Sequence, residues 1–338
     1  MKNTSNMVKT GVIIVSYNGA RHLEKLLPTI LSQSINKLLY KVVVVDNGSS
    51  DNSLKILEGC SEVAVIPLDK NRGFAESNNI GIQYALENFK NIENLIFLNN
   101  DTSVSRNFVE VLEEGIKNHP DIASVQTKIV SMDKKTIDSV GILIDNSFSA
   151  INKGQGENDF GQYQKSAEIF GTTASAMMIT RKALETIDLG KGEYFDNLYF
   201  AYNEDVDMAL RLRLAGFLSR YIPGGEVQHI HSATGGNQSA FKSFYIHRNT
   251  IFNIIKNAPN DILVYTLICF IKRYINLIKN TKKENTAAYK LSKNIGMFAI
   301  LWLVCHAWMS VVFHFPQLLR KRRMIQNRRI MKKDVLQQ

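Results

Sequence analysis

The feature that most constrains this chain is a repeated alternation in its first hundred residues, in which a short, largely β-branched apolar run ends abruptly in a polar loop. Gly11 to Val15 is followed by Ser16-Tyr17-Asn18-Gly19, Lys41 to Val45 by Asp46-Asn47-Gly48-Ser49-Ser50-Asp51, and Leu95 to Leu98 by Asn99-Asn100-Asp101-Thr102. Apolar runs of this length without polar alternation read as strands buried on both faces. From Ala20 to Gln33, Leu23, Leu26, Leu27 and Ile30 recur at helical spacing, and Pro28 is expected to disturb the middle of that helix. Ser53 to Leu57 begins a second helix, and Val63 to Pro67 supplies a further strand. The alternation implies an α/β fold, Rossmann-like, with a mainly parallel sheet flanked by helices.

In sheets of this kind ligands bind where the carboxyl ends of the strands meet the crossover loops. One polar loop there is an ordinary turn. Three in succession point to a site. Composition narrows the partner: 45% of the 338 residues are hydrophobic and 21% charged, which excludes a disordered chain. Three cysteines, Cys60, Cys269 and Cys305, without CxxC spacing exclude a disulfide framework or zinc finger and fit a reducing compartment. The net charge is +10, and most of the excess lies between Arg320 and Lys333, next to an apolar segment. Basic residues gathered in that way, rather than interleaved with aromatics on a patch, argue against nucleic acid. Met1 to Thr10 is polar and Val12 to Val15 too short for a signal sequence, so the catalytic part is expected in the cytoplasm.

The segments VIIVSYNGARHLEKLL (12–27), VVVVDNGSSDNS (42–53), NRGFAESNNIGI (71–82), LNNDT (98–102) and YNEDVDMALRLRLAGF (202–217) resemble, in this order, family 2 glycosyltransferases of the GT-A fold. The likeness is greatest to the rhamnosyltransferase-like branch and covers roughly residues 10–258. It implies a nucleoside-diphosphate sugar as donor. Asp46 would accept from the imide N–H of uracil or thymine, with the Tyr17 ring beside it. Asn71, Arg72, Gly73 and Phe74 correspond to the family's N-x-G-F loop, and Asn79 to a polar residue near the nucleotide. Arg72 is either a phosphate contact or a solvated surface arginine. Where many members carry D-x-D, this chain has Asn99-Asn100-Asp101, which makes Asp101 the expected ligand of Mg²⁺ or Mn²⁺ and gives Asn99 a supporting role on the donor side. One carboxylate suffices when phosphate and water supply the remaining oxygens.

VQHIHSATGG (227–236) resembles the family's H-x-x-S-x-S-x-G segment, with His229 as second metal ligand and Ser232 at the first serine. On an extended strand His231 faces the same side, so the choice between the two stays open. The family's E-D motif makes Asp205 the general base and gives Glu204 the task of orienting acceptor or base. The pair opens a helix with Asn203 as cap, a place where acidic residues are favoured by the helix dipole anyway. Asp207 in the same turn is expected as a cap or a solvated acid. Gly171 to Met178 resembles the acceptor side, with Met177 and Met178 as core. Ser131 to Phe170 reads as a loop insertion over the site. YIHRNTIFNIIKNAP (245–259) resembles the family's Arg-Asn and Lys-Asn helix.

The expected division is a catalytic domain over 1–258 and a helical, basic region over 259–338. Ile262 to Ile271 is too short to span a bilayer, whereas Ile295 to Phe315 is long enough and carries Trp302 and Trp308. Basic residues on both sides argue against a crossing and for in-plane or re-entrant helices with a polybasic tail on anionic lipid. The alternative is a buried helical hairpin with a solvated basic end. The expected activity is inverting transfer of a sugar, L-rhamnose by the resemblance, from a dTDP- or UDP-sugar to a glycan or lipid-linked acceptor. It would occur at the cytoplasmic face of the membrane, in cell-surface polysaccharide synthesis. The rivals are a nucleotidyltransferase, which would need a Gly-rich phosphate loop after the first strand, and a catalytically inert nucleotide-sugar or lipid-binding scaffold.

Overall fold

The computed structural model describes residues 7–117, 119–230, 239–280, 293, 294 and 296–330. His231 and Ser232 lie outside the described residues. In chain order the strands are β1 (Thr10–Ser16), β2 (Tyr40–Asp46), β3 (Val63–Pro67), β4 (Asn94–Leu98), β5 (Thr102–Val104), β6 (Ile122–Gln126), β7 (Ile129–Ser131), β8 (Ile137–Ser139), β9 (Ile142–Ile144), β10 (Ala150–Asn152), β11 (Ala167–Ile169), β12 (Ala176–Thr180), β13 (Leu218–Tyr221) and β14 (Val227–His229). The helices before the last are α1 (Ala20–Leu31), α2 (Ser53–Glu58), α3 (Gly73–Asn88), α4 (Phe108–Ile116), α5 (Arg181–Ile187), α6 (Glu204–Leu214), α7 (Ala240–Asn257) and α8 (Asn260–Asn280). A long C-terminal helix, Met297–Asn327, follows.

Eight strands form the central sheet in the order β11-β13-β6-β12-β4-β1-β2-β3. β3, β2, β1 and β4 run parallel, and β12 enters antiparallel between β4 and β6. The expected continuous apolar runs are buried on both faces. Val12, Ile14, Val42 and Val44 pack toward α1 and α4, whereas Ile13 and Val43 join a second core with residues of α3, α6 and α7. Each such side chain contributes about 1.5–3 kcal/mol by leaving water.

Pro28 does not interrupt α1, contrary to expectation. The carbonyl that loses its i+4 donor belongs to Glu24, which is exposed, so water can satisfy it. The stretch 131–170 is likewise not a loop. It supplies β7 and β8 of a smaller sheet (β5-β14-β7-β8), the β9/β10 hairpin and the edge strand β11. Strands of three residues are too short to carry a readable period.

At the C-terminal end, Ile262 and Phe270 of α8 and Val311, Leu318 and Ile325 of the last helix join the same core as Phe97 and Leu210. The apolar run Ile262–Ile271 sits inside the 21-residue α8. From Phe298 the last helix is long and apolar enough, by length and composition, to cross a membrane, and Phe298, Trp302, Val312 and Phe313 are largely exposed on it.

Candidate active site

The parallel register sets Ser16 opposite Asp46, so the loops after β1 and β2 lie side by side. They are laced together by short polar bonds. Asn18 N–H donates to Ser49 Oγ (2.9 Å), Ser50 N–H to Asn18 Oδ1 (2.8 Å), Gly19 N–H to Ser53 Oγ (3.0 Å) and Ala20 N–H to Asp51 Oδ2 (3.0 Å). A Cβ on Gly19 would lie 2.2 Å from Asn100 Nδ2, so only glycine lets the third loop approach this closely. Asp46 is buried. Its Oδ2 accepts Ser49 N–H (3.1 Å), while Oδ1 is buried without a hydrogen-bond partner among the described residues. A buried carboxylate oxygen without a donor is rare and suits the N–H of a bound ring. Tyr17, one residue past the strand end, is 39% exposed and so open to stack.

Asn47 was read from sequence only as a turn residue, yet it joins two of these loops. Its amide donates to Asn71 Oδ1 (3.0 Å) and Gly73 O (3.2 Å), and its Oδ1 accepts Arg72 N–H (2.8 Å). Gly73 has φ +81°, and a Cβ there would meet Phe200 O at 2.5 Å. Phe74 N–H donates to that same carbonyl (2.7 Å), and the Phe74 ring packs edge-on against Phe195. Arg72 pairs with Asp69 (2.9 Å) and Glu76 (3.2 Å) and is held by them above its usual range. Asn79 does not present its amide to a nucleotide. Its Nδ2 donates to Phe195 O (2.7 Å) and Asn197 Oδ1 (2.9 Å), and its Oδ1 accepts Phe195 N–H (2.9 Å), which makes it a clamp on the 195–197 loop.

Asp101 and His229 come together although 128 positions separate them, because β14 pairs antiparallel with β5. Asp101 Oδ1 lies 3.3 Å from His229 Nε2, and His229 Nδ1 is 2.7 Å from Asp138 Oδ2. Burial alone would lower the imidazole's pKa, but the hydrogen bonds to Asp101 and Asp138 outweigh it and raise it to about 9. Among the described residues no group of three or more His, Cys, Asp or Glu side chains is placed to hold a metal; once His229 gives up its proton, it and Asp101 offer one nitrogen and one oxygen donor to a divalent cation, the far ring nitrogen being fixed by Asp138. Asp138 was missed by sequence reasoning, since it lies on the three-residue β8 inside the stretch read as a loop.

Asn99 N–H donates to Ser175 O (2.9 Å), and Ala174 N–H to Asp205 Oδ2 (3.3 Å), so one small-residue segment ties the Asn99–Asp101 loop to the head of α6. Asn203 caps that helix with its backbone only. It and Tyr202 both adopt the left-handed region (φ 65° and 66°), and the Asn203 amide reaches instead to α7, at Ile246 O (3.2 Å) and Thr250 Oγ1 (3.0 Å). Left-handed non-glycine residues in succession are costly and cluster at functional sites. Glu204 is buried, with Oε2 lacking a partner among the described residues. Burial, then the Asp205 charge, pushes its pKa up to about 8. Burial also raises Asp205, against the N–H groups of Val206 and Ala174 that favour its charge.

Asp207 is neither a cap nor solvated. It is fully buried, pairs with Arg211 (2.8 Å) and Lys256 (2.8 Å), and accepts from Asn257 (2.9 Å). Burial would raise its pKa, but the two cations hold it well below the carboxylate range. Met177 and Met178 are core, as expected.

These loops and the buried Asp46 gather at the carboxyl ends of parallel strands, where enzymes of α/β fold bind their substrates. Residues 11–188 match the family model described as Glycosyl transferase family 2, and the chain belongs to that family. It is 26% identical over 256 residues to the rhamnosyltransferase WbbL of Escherichia coli K12 (72% of this chain, 91% of WbbL). It is 25% identical over 285 residues to the dTDP-rhamnosyl transferase RfbF of Shigella flexneri (80% of this chain, 88% of RfbF). Among solved structures, GalNAc-T7 with UDP, GalNAc and Mn²⁺ superposes with a TM-score of 0.57 at 17% identity, over 74% of this chain and 49% of that one. The fold is GT-A, and the protein is a glycosyltransferase.

Proposed function

We propose that the protein transfers a sugar, L-rhamnose, with inversion from a dTDP-linked donor to a glycan or lipid-linked acceptor in cell-surface polysaccharide synthesis, at the cytoplasmic face of the membrane. The observation that carries this reading is the tie through Ala174 and Ser175, which joins the Asn99–Asp101 loop to the carboxylate of Asp205. Asp46 Oδ1 receives the base N–H and Tyr17 stacks on the ring. Asp101 and His229 would hold Mg²⁺ or Mn²⁺, which when bound offsets charge on the departing diphosphate. Asp205 takes the acceptor hydroxyl's proton as that oxygen attacks the anomeric carbon. A single displacement from the face opposite the diphosphate inverts the centre. Glu204, neutral near pH 7, lowers the repulsion on Asp205 and offers a hydroxyl proton to a substrate oxygen. The dTDP-rhamnose reading rests on the likeness to the rhamnosyltransferase WbbL and the dTDP-rhamnosyl transferase RfbF. The exposed apolar side chains of α8 and the last helix suit the boundary of a lipid surface.

The test is a donor screen of purified full-length protein with dTDP- and UDP-sugars and Mg²⁺ or Mn²⁺. Thermal stabilisation and metal-dependent nucleoside diphosphate release with dTDP-rhamnose are expected. A UDP-sugar as the sole productive donor would overturn the donor assignment.

A further inference from the structure

The Lys-Asn pair of α7 and the basic run of the last helix meet inside the protein. Asp196, Asp207, Arg211, Lys256 and Lys321 are all buried, with Glu193 at the margin. Lys256 Nζ pairs with both Asp207 Oδ1 (2.8 Å) and Asp196 Oδ2. Lys321 Nζ pairs with Asp196 Oδ1 and with Glu193 Oε1 (2.6 Å). Arg211 completes the set on Asp207 and donates to the carbonyls of Ile187 and Tyr194 (both 2.8 Å). Three acids face three bases. Arg322 of the same basic run also turns inward, donating to Ile255 O (2.6 Å) and Ala258 O (2.7 Å) at the end of α7.

This cluster is one turn from the chemistry. Asp207 shares the first turn of α6 with Glu204 and Asp205. The strained residues before that turn are held by α7, where Asn249 donates to Ala201 O (2.9 Å) and Tyr202 O (2.6 Å), and Arg248 to Leu198 O (2.7 Å). Lys256, on that same helix, is shared between two acids. Lys321 is what satisfies the second of them.

We propose that Lys321 is a positioning residue for sugar transfer: by neutralising Asp196 it leaves Lys256 to hold Asp207, and with it the turn that presents Glu204 and Asp205. The inference rests on the reading of Asp205 as the base. Without Lys321, Asp196 keeps only the Lys256 ammonium and Leu198 N–H, Lys256 shifts toward it and leaves Asp207 to Arg211, and the turn loosens. The polar bonds that lace the loops after β1 and β2 together involve none of these residues.

The experiment uses full-length protein carrying Lys321→Met, Lys321→Arg, the double change Lys321→Met with Asp196→Asn, or Asp205→Asn. Turnover of dTDP-rhamnose with Mn²⁺, binding of free dTDP, and Tm are measured, the kinetics well below the lowest Tm. Lys321→Met should lower kcat by about a hundredfold, the effect of a roughly 1 Å misplacement of a reacting group. KM for the donor and dTDP affinity should stay near wild type, and Lys321→Arg should restore most of the turnover. The double change, which rebalances the cluster at two acids and two bases, should also recover it. A folded Lys321→Met protein with wild-type kcat, or with kcat and dTDP binding lost together, overturns the proposal. Should the single variant fail to fold, the double variant decides: recovered kcat supports the proposal, and a hundredfold loss overturns it. If Asp205→Asn turns over normally, the base assignment fails; if it is inactive while Lys321→Met is unimpaired, only the role of Lys321 fails.

Discussion

The donor loops and the catalytic turn are built by opposite means. The loops after β1 and β2 are held mostly by neutral bonds between residues about 30 positions apart, most of them at exposed sites, with one bond to the Asp51 carboxylate, around a glycine that permits close approach. The head of α6 is held by buried ions and amides shared with α7, 43 to 50 positions away, and Lys321 of the last helix pairs with Asp196 across 125 positions. Hydrogen bonds of the first kind contribute about 1 kcal/mol each and fail singly, whereas a buried ion that loses its partner costs about 3–5 kcal/mol. Donor binding should therefore erode by degrees and transfer should fail at once.

That contrast can be broken most directly at Asp205. Asp205→Asn should reduce transfer by about 100- to 10,000-fold while free dTDP still binds; steady-state kinetics beside calorimetry would show it, and parallel losses would erase the distinction. Next in size is the metal pair. Asp101→Ala should abolish the metal dependence of donor binding, and Asp138→Asn should weaken apparent Mn²⁺ affinity about 10- to 100-fold by freeing the His229 ring, which a metal titration of dTDP release measures. A smaller effect is expected at Asp46, where Asp46→Ala removes one charge-assisted bond and should weaken free dTDP by about 1.5–3 kcal/mol.

The smallest effect concerns Glu204. Its folded pKa of about 8 lies above the ordinary carboxyl value of 4.5, so the native state binds the extra proton. The stability this gives is complete below the unfolded value and is lost as pH rises through about 8. Glu204→Gln should therefore keep much of the activity at pH 7 and flatten the decline of Tm between the unfolded value of 4.5 and the folded value of about 8. An unchanged pH profile would mean that Glu204 is not the titrating group.

The donor side was legible in the sequence because Val12 to Val15 and Val42 to Val45 are buried on both faces, and because the residues that turn the chain also make the site. Asp138 was not legible. Its strand has three residues, and its partnership with His229 depends on β8 pairing with β7 and β7 with β14. Asn79 was assigned near the nucleotide by family resemblance, but which side of α3 meets the 195–197 loop is decided by packing. Lys321 sits in the run Arg320-Lys321-Arg322-Arg323, and only the seating of that helix on α7 selects which side chains turn inward. Charge composition gives the sum of such a run and says nothing of its faces.

The pairing of Lys321 with Asp196 closes a span of 125 residues. During synthesis at roughly 5–20 residues per second, the acids around the catalytic turn would wait about 6–25 seconds for their last cation. On the role proposed for Lys321, the turn that presents Asp205 would not be completed until the final helix is made. A nascent or prematurely ended chain would thus hold nucleotide sugar without using it, and the order of translation itself would keep an unfinished enzyme from consuming donor.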